Sequence, residues 1–342
     1  MPGTKPAIGF IGLGIMGSPM AANLIKAGFP VTGYDHHTSN LDKLTAAGGT
    51  AVGSEAEAAA AADIVVTMLP DSPQVAGAVL GEGGVFETIR SRRTGEAPPA
   101  GAGSAEMRSP RSPGPVLIDF STIKPETSRE IATAGAELGV AVLDAPVSGG
   151  EAGAIEGTLS IMVGGNEADF EAAGPVFDAV GRTYRLVGPH GAGQVVKAAN
   201  QLVVGGTYAL VAEAIVLMEA SGVDATAGLD VLAGGLAASR ILELKRQSML
   251  AREFRPGFRI DLHHKDMGIA VAAARNAEMS APMTALVAEL IAAARAMGYG
   301  SLDHSALLKV TETLSGRAEH PGSGPGSGHD GAGDAAGGGA AM

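Results

Sequence analysis

The sequence contains no cysteine and no tryptophan among its 342 residues, and only 4% of the residues are aromatic. Without thiols the chain can form no disulfide bond, no zinc–thiolate centre and no thiol nucleophile. No uninterrupted apolar run reaches the roughly 18 residues of a typical transmembrane segment, so we expect no membrane span. The net charge of −12 disfavours a general nucleic-acid surface. The absence of cysteine suits a reducing compartment, and we expect a cytoplasmic protein.

The chain is long enough for two domains, and 46% of its residues are hydrophobic. Through residue 190, short apolar runs alternate with helical segments, which predicts a Rossmann-type α/β domain over residues 1–190. Residues 191–315 are helical in pattern and predict an all-α domain, joined to the first by a long interdomain helix. Two segments lack such periodicity. We expect residues 91–115 to be a disordered surface insertion and residues 316–342 a flexible Gly/Ala/Ser-rich tail.

A glycine-rich turn near the N-terminus lies between an apolar strand and a helix, and a second strand ends at Asp35. Gly12 permits the tight turn, Gly14 lets the backbone approach a pyrophosphate, and Gly17 lets helix and strand pack closely. The helix N-terminus offers N–H groups to phosphates, and Asp35 is placed to accept hydrogen bonds from a ribose. An ordinary glycine turn in a parallel-sheet protein is the alternative. The dinucleotide interpretation assigns cofactor contacts to Gly12, Leu13, Gly14, Ile15, Met16, Gly17 and Asp35.

Ligands of open α/β sheets lie at the carboxyl ends of the strands. Two further strands end at Leu69-Pro70 and at Ser121-Thr122. We therefore expect Leu69, Pro70 and Thr122 beside the cofactor as well. Thr122 has an alternative role as the N-cap of the next helix, and the two roles are compatible.

The segment from residue 191 to 222 reads as one long helix that begins after a glycine-rich turn. Its aliphatic residues cover nearly all sides, which predicts burial all round. Gly205 and Gly206, in its middle, predict the close approach of another helix. Lys197 and Asn200 are three residues apart and share a face near the N-terminal end. Lys197 either extends to solvent from the first turn or has a functional role inside the protein.

Two other segments place polar groups in unusual settings. Ser148, Gly149 and Gly150 follow a strand, and such a turn exposes backbone N–H groups that can hold a carboxylate; a plain turn is the alternative. His263 and His264 invite a metal interpretation. Adjacent helical residues point apart, however, and helical metal pairs are usually four residues apart. We therefore expect no metal site.

Four motifs occur in order along the chain. They are Gly12-Leu-Gly-Ile-Met-Gly17; Asp144-Ala-Pro-Val-Ser-Gly-Gly150 with Gly157-Thr-Leu; Gly191-Ala-Gly-Gln-Val-Val-Lys197-Ala-Ala-Asn200; and Lys265-Asp266. In this combination the chain resembles the β-hydroxyacid dehydrogenase family over nearly its whole length, apart from residues 91–115 and the tail. Four ordered motifs are far more specific than a single glycine fingerprint.

The resemblance implies an NAD(P)-dependent oxidoreductase that acts on a small carboxylate substrate without a metal. It implies Lys197 as the catalytic residue, Thr122 and Lys265 as cofactor contacts, and a helical domain that helps to form a homodimer or homotetramer. Asp35 favours NAD, but His36 stands where relatives often carry Arg, which leaves NADP possible. The implied substrate contacts are Ser148, Gly149, Gly150, Asn200, Phe258 and Asp266.

Three further segments narrow the resemblance within the family: Gly234-Gly-Leu-Ala, residues 256–263 and Asp303-His-Ser-Ala-Leu. They are most similar to members that reduce tartronate semialdehyde (2-hydroxy-3-oxopropionate) to D-glycerate. Oxidation of 3-hydroxyisobutyrate or of another β-hydroxyacid is the alternative. The intact Lys197 disfavours an imine reductase on the same fold. A non-catalytic cofactor-binding scaffold would be expected to have lost Lys197 or Asn200.

Overall fold

In the computed structural model, which describes residues 5–60, 62–95 and 115–317, strands and helices alternate through the first half of the chain. The strands are β1 (Ile8–Ile11), β2 (Val31–Tyr34), β3 (Thr50–Ala51), β4 (Ile64–Thr67), β5 (Val116–Asp119), β6 (Ala141–Asp144), β7 (Val147–Ser148), β8 (Leu159–Gly164) and β9 (Gly181–Gly188). The helices of this half are α1 (Gly17–Lys26), α2 (Thr38–Ala46), α3 (Glu55–Ala60), α4 (Ser72–Leu80), α5 (Val85–Thr94), α6 (Pro125–Glu137), α7 (Gly150–Glu156) and α8 (Glu167–Val180).

All these strands belong to one sheet. Its parallel part has the order β3-β2-β1-β4-β5-β6, and β8 then pairs antiparallel with β6 and β7 and parallel with β9. The direction of the strand order reverses between β1 and β4, which places the ligand crevice outside their carboxyl ends. Both strands are buried along their whole length, as is typical of a parallel sheet with helices on both faces.

The second half of the chain is helical. Its elements are α9 (Ala192–Ala220), α10 (Ala225–Ala233), α11 (Arg240–Leu250), α12 (Ile260–Asn276), α13 (Pro282–Ala294), a π-helical turn (Arg295–Tyr299), a 3-10 turn (His304–Ala306) and α14 (Leu307–Leu314). These helices enclose a hydrophobic core of their own, with Ile215, Met249 and Ile291 fully buried in it. The predicted fold class, a Rossmann-type α/β domain followed by an all-α domain, is confirmed.

The expectation of an unstructured insertion from residue 91 onward is wrong for its first residues, because α5 continues to Thr94. Its inner face is buried. Arg92, expected on a solvated loop, instead donates hydrogen bonds to the backbone oxygens of Ala59 (3.1 Å) and Ala62 (2.9 Å). The rest of the expected insertion (96–114) and most of the expected tail (318–342) lie outside the described residues.

Helix α9 is 29 residues long, joins the two halves of the chain, and packs on β8, α12, α13 and α14. The prediction that it is buried on all sides is wrong for the single chain. Val203, Leu210 and Leu217, spaced seven residues apart, are 66%, 63% and 67% exposed. Among the described residues, α9 is also the helix that is long and apolar enough to cross a membrane, although polar residues interrupt its apolar sequence. A core helix of a soluble protein meets the same two criteria.

The close helix approach predicted at the middle of α9 is confirmed at Gly205. A Cβ built on Gly205 would lie 2.7 Å from Cγ1 of Val287 on α13 and 3.2 Å from the ring of His263 on α12. A Cβ on Gly206 would lie 3.7 Å from Cγ2 of Val287, an ordinary van der Waals distance. The absence of a side chain is therefore a packing requirement at Gly205 and not at Gly206.

We expect Gly205→Ala to lower the free energy of unfolding by about 1–3 kcal/mol, because the new methyl group is forced against the stiff side chain of Val287. The matched control, Gly206→Ala, should leave it unchanged or raise it by up to about 1 kcal/mol through helix propensity. Denaturant unfolding monitored by circular dichroism measures both values. Equal effects of the two substitutions would contradict this account of the packing.

Candidate active site

A buried carboxylate at the carboxyl end of a central strand fixes the N-terminus of α9. Asp144, the last residue of β6, accepts hydrogen bonds from the backbone N–H groups of Gly191 (2.7 Å) and Gln194 (3.1 Å). Burial raises the pKa of Asp144, and these two hydrogen bonds oppose the shift. A Cβ on Gly193 would lie 2.8 Å from Oδ2 of Asp144, so the helix can approach the carboxylate only because Gly193 has no side chain. The sheet thereby sets the position of every residue in the first turns of α9.

Lys197 lies one turn beyond this anchor and points into the protein. Only 6% of it is exposed, so the alternative that it extends to solvent is wrong. Its Nζ donates hydrogen bonds to the backbone oxygen of Val147 (2.8 Å) and to Oε1 of Gln201 (3.2 Å). Burial lowers the pKa of Lys197 from 10.5 to about 8, although Asp266 opposes the shift by attraction. A buried amine that titrates near neutral pH is suited to proton transfer.

The two partners of Lys197 leave one of its bonding directions unused. An ammonium group has three N–H donors, and two of them are taken by Val147 and Gln201. In the neutral amine the same two N–H groups can stay in place, and the lone pair then occupies the third direction. The geometry therefore permits Lys197 to give up or accept a proton along one direction while its hydrogen bonds to the protein persist.

Asn200 and Asp266, both expected at the site, meet Lys197 through Gln201. Oε1 of Gln201 also accepts a hydrogen bond from Nδ2 of Asn200 (2.8 Å), and its Nε2 donates to Oδ2 of Asp266 (2.6 Å). Asp266 in turn forms an ion pair with Lys265 (2.8 Å). The structure thus joins four expected site residues through a glutamine that the sequence analysis did not identify.

Lys265 connects this network to the sheet, because its Nζ donates a hydrogen bond to the backbone oxygen of Thr122 (2.6 Å). The side chain of Thr122 does not cap the next helix, since the N-cap position of α6 is Lys124. The alternative role considered for Thr122 is therefore wrong. Thr122 and Lys265, both expected as cofactor contacts, are instead in direct hydrogen-bond contact with each other.

The turn at Ser148, Gly149 and Gly150 lies directly after Val147, the backbone partner of Lys197. Gly149 and Gly150 have φ angles of 136° and 62°, a conformation that favours glycine, and Gly150 begins α7. No atom lies within 4 Å of a Cβ built on Gly150, so the turn is open on that side. The structure therefore brings Lys197 and the proposed carboxylate turn together.

The glycine turn after β1 has the shape that a dinucleotide requires. Gly12 has a φ of 94°, and a Cβ on it would overlap the backbone oxygen of Met68. A Cβ on Gly17 would overlap the backbone oxygen of Gly12, which explains the close packing of α1 on the turn. At Gly14 nothing lies within 4 Å, so its backbone is open to a ligand. Ile15 beside it is exposed, whereas Leu13 is buried in the core.

Asp35 lies at the end of β2 and is tied to this turn. Its Oδ2 accepts a hydrogen bond from the backbone N–H of Leu13 (2.7 Å), and its Oδ1 accepts from the N–H of His37 (2.8 Å) and from Asn40 (3.1 Å). The carboxylate is thereby held beside the turn, where the ribose of a bound dinucleotide would lie. The residues present fit NAD(P), and the cofactor class predicted from the sequence is confirmed.

Leu69 and Pro70, at the carboxyl end of β4, form the other side of this crevice. The N–H of Leu69 donates to Oγ of Ser121 (2.8 Å), and Pro70 is exposed beside it. Gln194 on α9 reaches the same segment, where its Nε2 donates to the backbone oxygen of Ser121 (2.8 Å) and its Oε1 accepts from the N–H of Ile123 (3.1 Å). Helix α9 is thus hydrogen-bonded to the segment after β5 as well as to the end of β6.

The histidine pair at 263 and 264 separates as expected for adjacent helical residues. His263 is fully buried, and its Nε2 lies 3.0 Å from the backbone oxygen of Gln201. Its Nδ1 lies 3.1 Å from Nδ1 of His304, and the ring of Phe258 packs edge-on against it. Burial lowers the pKa of both His263 and His304. No group of three or more His, Asp and Glu side chains in the described part of the chain could hold a metal ion.

Two family models match the chain. One, described as the NAD binding domain of 6-phosphogluconate dehydrogenase, matches residues 7–188. The other, described as NAD-binding of NADP-dependent 3-hydroxyisobutyrate dehydrogenase, matches residues 191–311.

Characterised proteins match over nearly the whole chain. The sequence is 39% identical over 312 residues to the 2-hydroxy-3-oxopropionate reductase of Escherichia coli K12, with 90% of this chain and 98% of that protein covered. It is 37% identical over 310 residues to the 2-(hydroxymethyl)glutarate dehydrogenase of Eubacterium barkeri, with 90% and 96% covered. The crystal structure of a 3-hydroxyisobutyrate dehydrogenase from Salmonella typhimurium superposes with a TM-score of 0.76 at 29% identity, over 90% of this chain and 100% of that one. All three are named for oxidation or reduction, each with a different substrate.

A further carboxyl group is buried at the carboxyl ends of the parallel strands. Asp119, at the end of β5, accepts hydrogen bonds from Thr67 (2.8 Å) and from the N–H of Ser121 (3.0 Å) through the same oxygen. Its other oxygen is buried without a hydrogen-bond partner among the described residues. Burial raises the pKa of Asp119 from 3.8 to about 6, in spite of these hydrogen bonds.

Between pH 4 and 6 the folded chain therefore holds the Asp119 proton more tightly than the unfolded chain. The contribution of Asp119 to stability is greatest below pH 4 and is lost as the pH rises through 6, a change of about 3 kcal/mol. We expect the unfolding free energy of the wild type to fall by about 2 kcal/mol more than that of Asp119→Asn when the pH is raised from 4 to 7. Denaturant unfolding at several pH values measures the difference, and parallel curves would contradict the assignment.

Proposed function

The chain belongs to the β-hydroxyacid dehydrogenase family, and from this membership we propose that it reduces tartronate semialdehyde reversibly to D-glycerate. The observation that carries the proposal is the buried Lys197 beside the turn at residues 147–150, in a chain most of which matches a reductase of this substrate. When bound, a nicotinamide would supply hydride-transfer chemistry at the aldehyde carbon in both directions.

In this proposal Lys197 is the general acid and base. Negative charge develops on the aldehyde oxygen during reduction, and the ammonium of Lys197 donates its third proton there. In the oxidation of glycerate, the neutral amine accepts the hydroxyl proton along the same direction. A pKa near 8 keeps both forms accessible around neutral pH. Asn200, on the same face of α9, holds the reacting oxygen beside the lysine.

Ser148, Gly149 and Gly150 bind the carboxylate of the substrate. Their backbone N–H groups and the Ser148 hydroxyl are donors, and the turn is open at Gly150. Because Val147 fixes both this turn and Nζ of Lys197, a short substrate bound here has its reacting carbon at a set distance from the proton donor. Phe258 and Asp266, from the helical domain, line the opposite wall.

We propose NAD(H) as the preferred cofactor, bound by residues 12–17, Asp35, Leu69, Pro70, Thr122 and Lys265. The carboxylate of Asp35 accepts hydrogen bonds from ribose hydroxyls but repels a 2′-phosphate. No arginine follows it to neutralise that charge, because His36 and His37 occupy the next positions. Thr122 and Lys265 close the crevice on the nicotinamide side.

We also propose that the enzyme is a cytoplasmic homo-oligomer, a dimer or a tetramer. The support is the exposed stripe of Val203, Leu210 and Leu217 on α9. A seven-residue spacing of large apolar side chains is the pattern that packs one helix against another. A second copy of the chain presents the same stripe and can cover it symmetrically.

Lys197→Met preserves the apolar stem and removes only the amine. We expect kcat for aldehyde reduction to fall about 10²–10⁴-fold, the usual contribution of a positioned acid–base group. Binding of NADH, followed by its fluorescence, should change little because Lys197 does not contact the dinucleotide turn. Lys43→Met, at an exposed lysine of α2, is the control for the loss of a positive charge. A Lys197→Met enzyme that keeps a tenth or more of the wild-type kcat would exclude the assigned role.

A comparison of two aldehyde substrates distinguishes the proposed activity from that of a 3-hydroxyisobutyrate dehydrogenase. A cleft wall with Asn200 and Asp266 offers a donor and an acceptor to a substrate hydroxyl. A methyl group in the same place would leave them unpaired. We expect kcat/KM for tartronate semialdehyde to exceed that for methylmalonate semialdehyde by roughly 10² or more. A preference for the methyl compound would move the assignment to 3-hydroxyisobutyrate dehydrogenase and leave the role of Lys197 intact.

A further inference from the structure

We propose that Gln201 is a positioning residue for the reaction, which aims the ammonium of Lys197 at the substrate and is itself oriented by Asp266. The inference rests on the proposed role of Lys197 as the acid and base. Gln201 touches neither the cofactor turn nor the carboxylate turn, and it would act only through Lys197 and Asn200.

Asp266 determines which end of the Gln201 amide faces the lysine. The ionised carboxylate of Asp266, paired with Lys265, can only accept hydrogen bonds, and it lies 2.6 Å from Nε2 of Gln201. Oε1 must then point to the opposite side, where the Lys197 ammonium and the Asn200 amide both donate to it. A flipped amide would place its NH₂ group against two donors and its oxygen against a carboxylate. Every contact of the group therefore favours one orientation.

The backbone of Gln201 is restrained as well. Its backbone oxygen is 3.0 Å from Nε2 of the buried His263, so the imidazole donates to it. Only 4% of Gln201 is exposed, and its amide is hydrogen-bonded to groups of the protein. The acceptor for Lys197 is consequently a fixed point within the protein.

The fixed position of Oε1 of Gln201 restricts the orientation of the Lys197 ammonium. With Val147 and Gln201 holding two of its N–H groups, the ammonium cannot rotate freely, and the direction of its third N–H is fixed for the proposed proton transfer. Removal of Oε1 leaves one acceptor and allows rotation about the Cε–Nζ bond. The same removal deprives the buried ammonium of a stabilising oxygen, which lowers the pKa of Lys197 further.

Gln201→Met tests the proposal because it keeps the length of the side chain and removes both polar atoms. Gln194→Met is the matched control. Gln194 is equally buried on the same helix, and its amide also makes two hydrogen bonds, but these go to Ser121 and Ile123 rather than to Lys197. Both substitutions therefore remove a buried amide from α9, and only one of them removes a partner of the lysine.

We expect Gln201→Met to lower kcat in both directions by about 10–100-fold. The acid limb of kcat/KM for glycerate oxidation should move to lower pH by about half a unit or more, whereas that of Gln194→Met should stay at the wild-type position. The titration of Lys197 itself is followed by NMR of ¹³Cε-labelled lysine, with the signal assigned by its loss in Lys197→Met. It should shift in the same way as the acid limb.

Gln201→Glu provides a second variant that keeps an oxygen beside Lys197. Its acid limb should stay in place or move to higher pH, opposite to Gln201→Met, because the added oxygen favours the ammonium. If the Lys197 NMR titration is the same in Gln201→Met and in Gln194→Met, Gln201 has only a structural role and the inference is overturned. If the NMR titration shifts but the kinetic limb does not follow, Lys197 is not the acid and base. That result overturns the proposed function and this inference with it.

Discussion

The burial of one amine is the constraint on which the rest of the site depends. An amine taken out of water must be given acceptors, and Lys197 finds one in the backbone of the sheet, at Val147, and one on its own helix, at Gln201. The Val147 oxygen is available only when the N-terminus of α9 lies against the last strands of the sheet. The carboxylate of Asp144 holds it there. Sheet, helix and proton donor are therefore positioned by a single set of contacts.

The parts that could be predicted from the sequence are those whose causes are local. The glycine turn after β1 follows from the steric needs of Gly12 and Gly17, and the structure shows the overlaps that any side chain there would produce. Lys197 and Asn200 were expected on one face because three residues nearly complete a helical turn. Gly205 was expected at a close helix approach because glycine is otherwise unfavourable in the middle of a helix.

The parts that could not be predicted depend on contacts between distant residues. Gln201 is one polar residue in an apolar helix, and its partner Asp266 is 65 positions away in the sequence. Helix α5 and strand β9 carry many polar residues and show no clear period. An apolar stripe such as that on α9 has the same pattern whether its own chain or another chain covers it. For each of these, the deciding information lies in the tertiary arrangement.

The stretch from Asp144 to Gly150 provides the helix anchor, the lysine acceptor and the proposed carboxylate turn within a few consecutive residues. Along an extended segment each residue advances the chain by about 3.3 Å and reverses the direction of the side chain. A single inserted or deleted residue would therefore misplace the turn relative to the anchor and point the side chains after it to the opposite face. The roles proposed for this segment therefore depend on its length as much as on the identity of its residues.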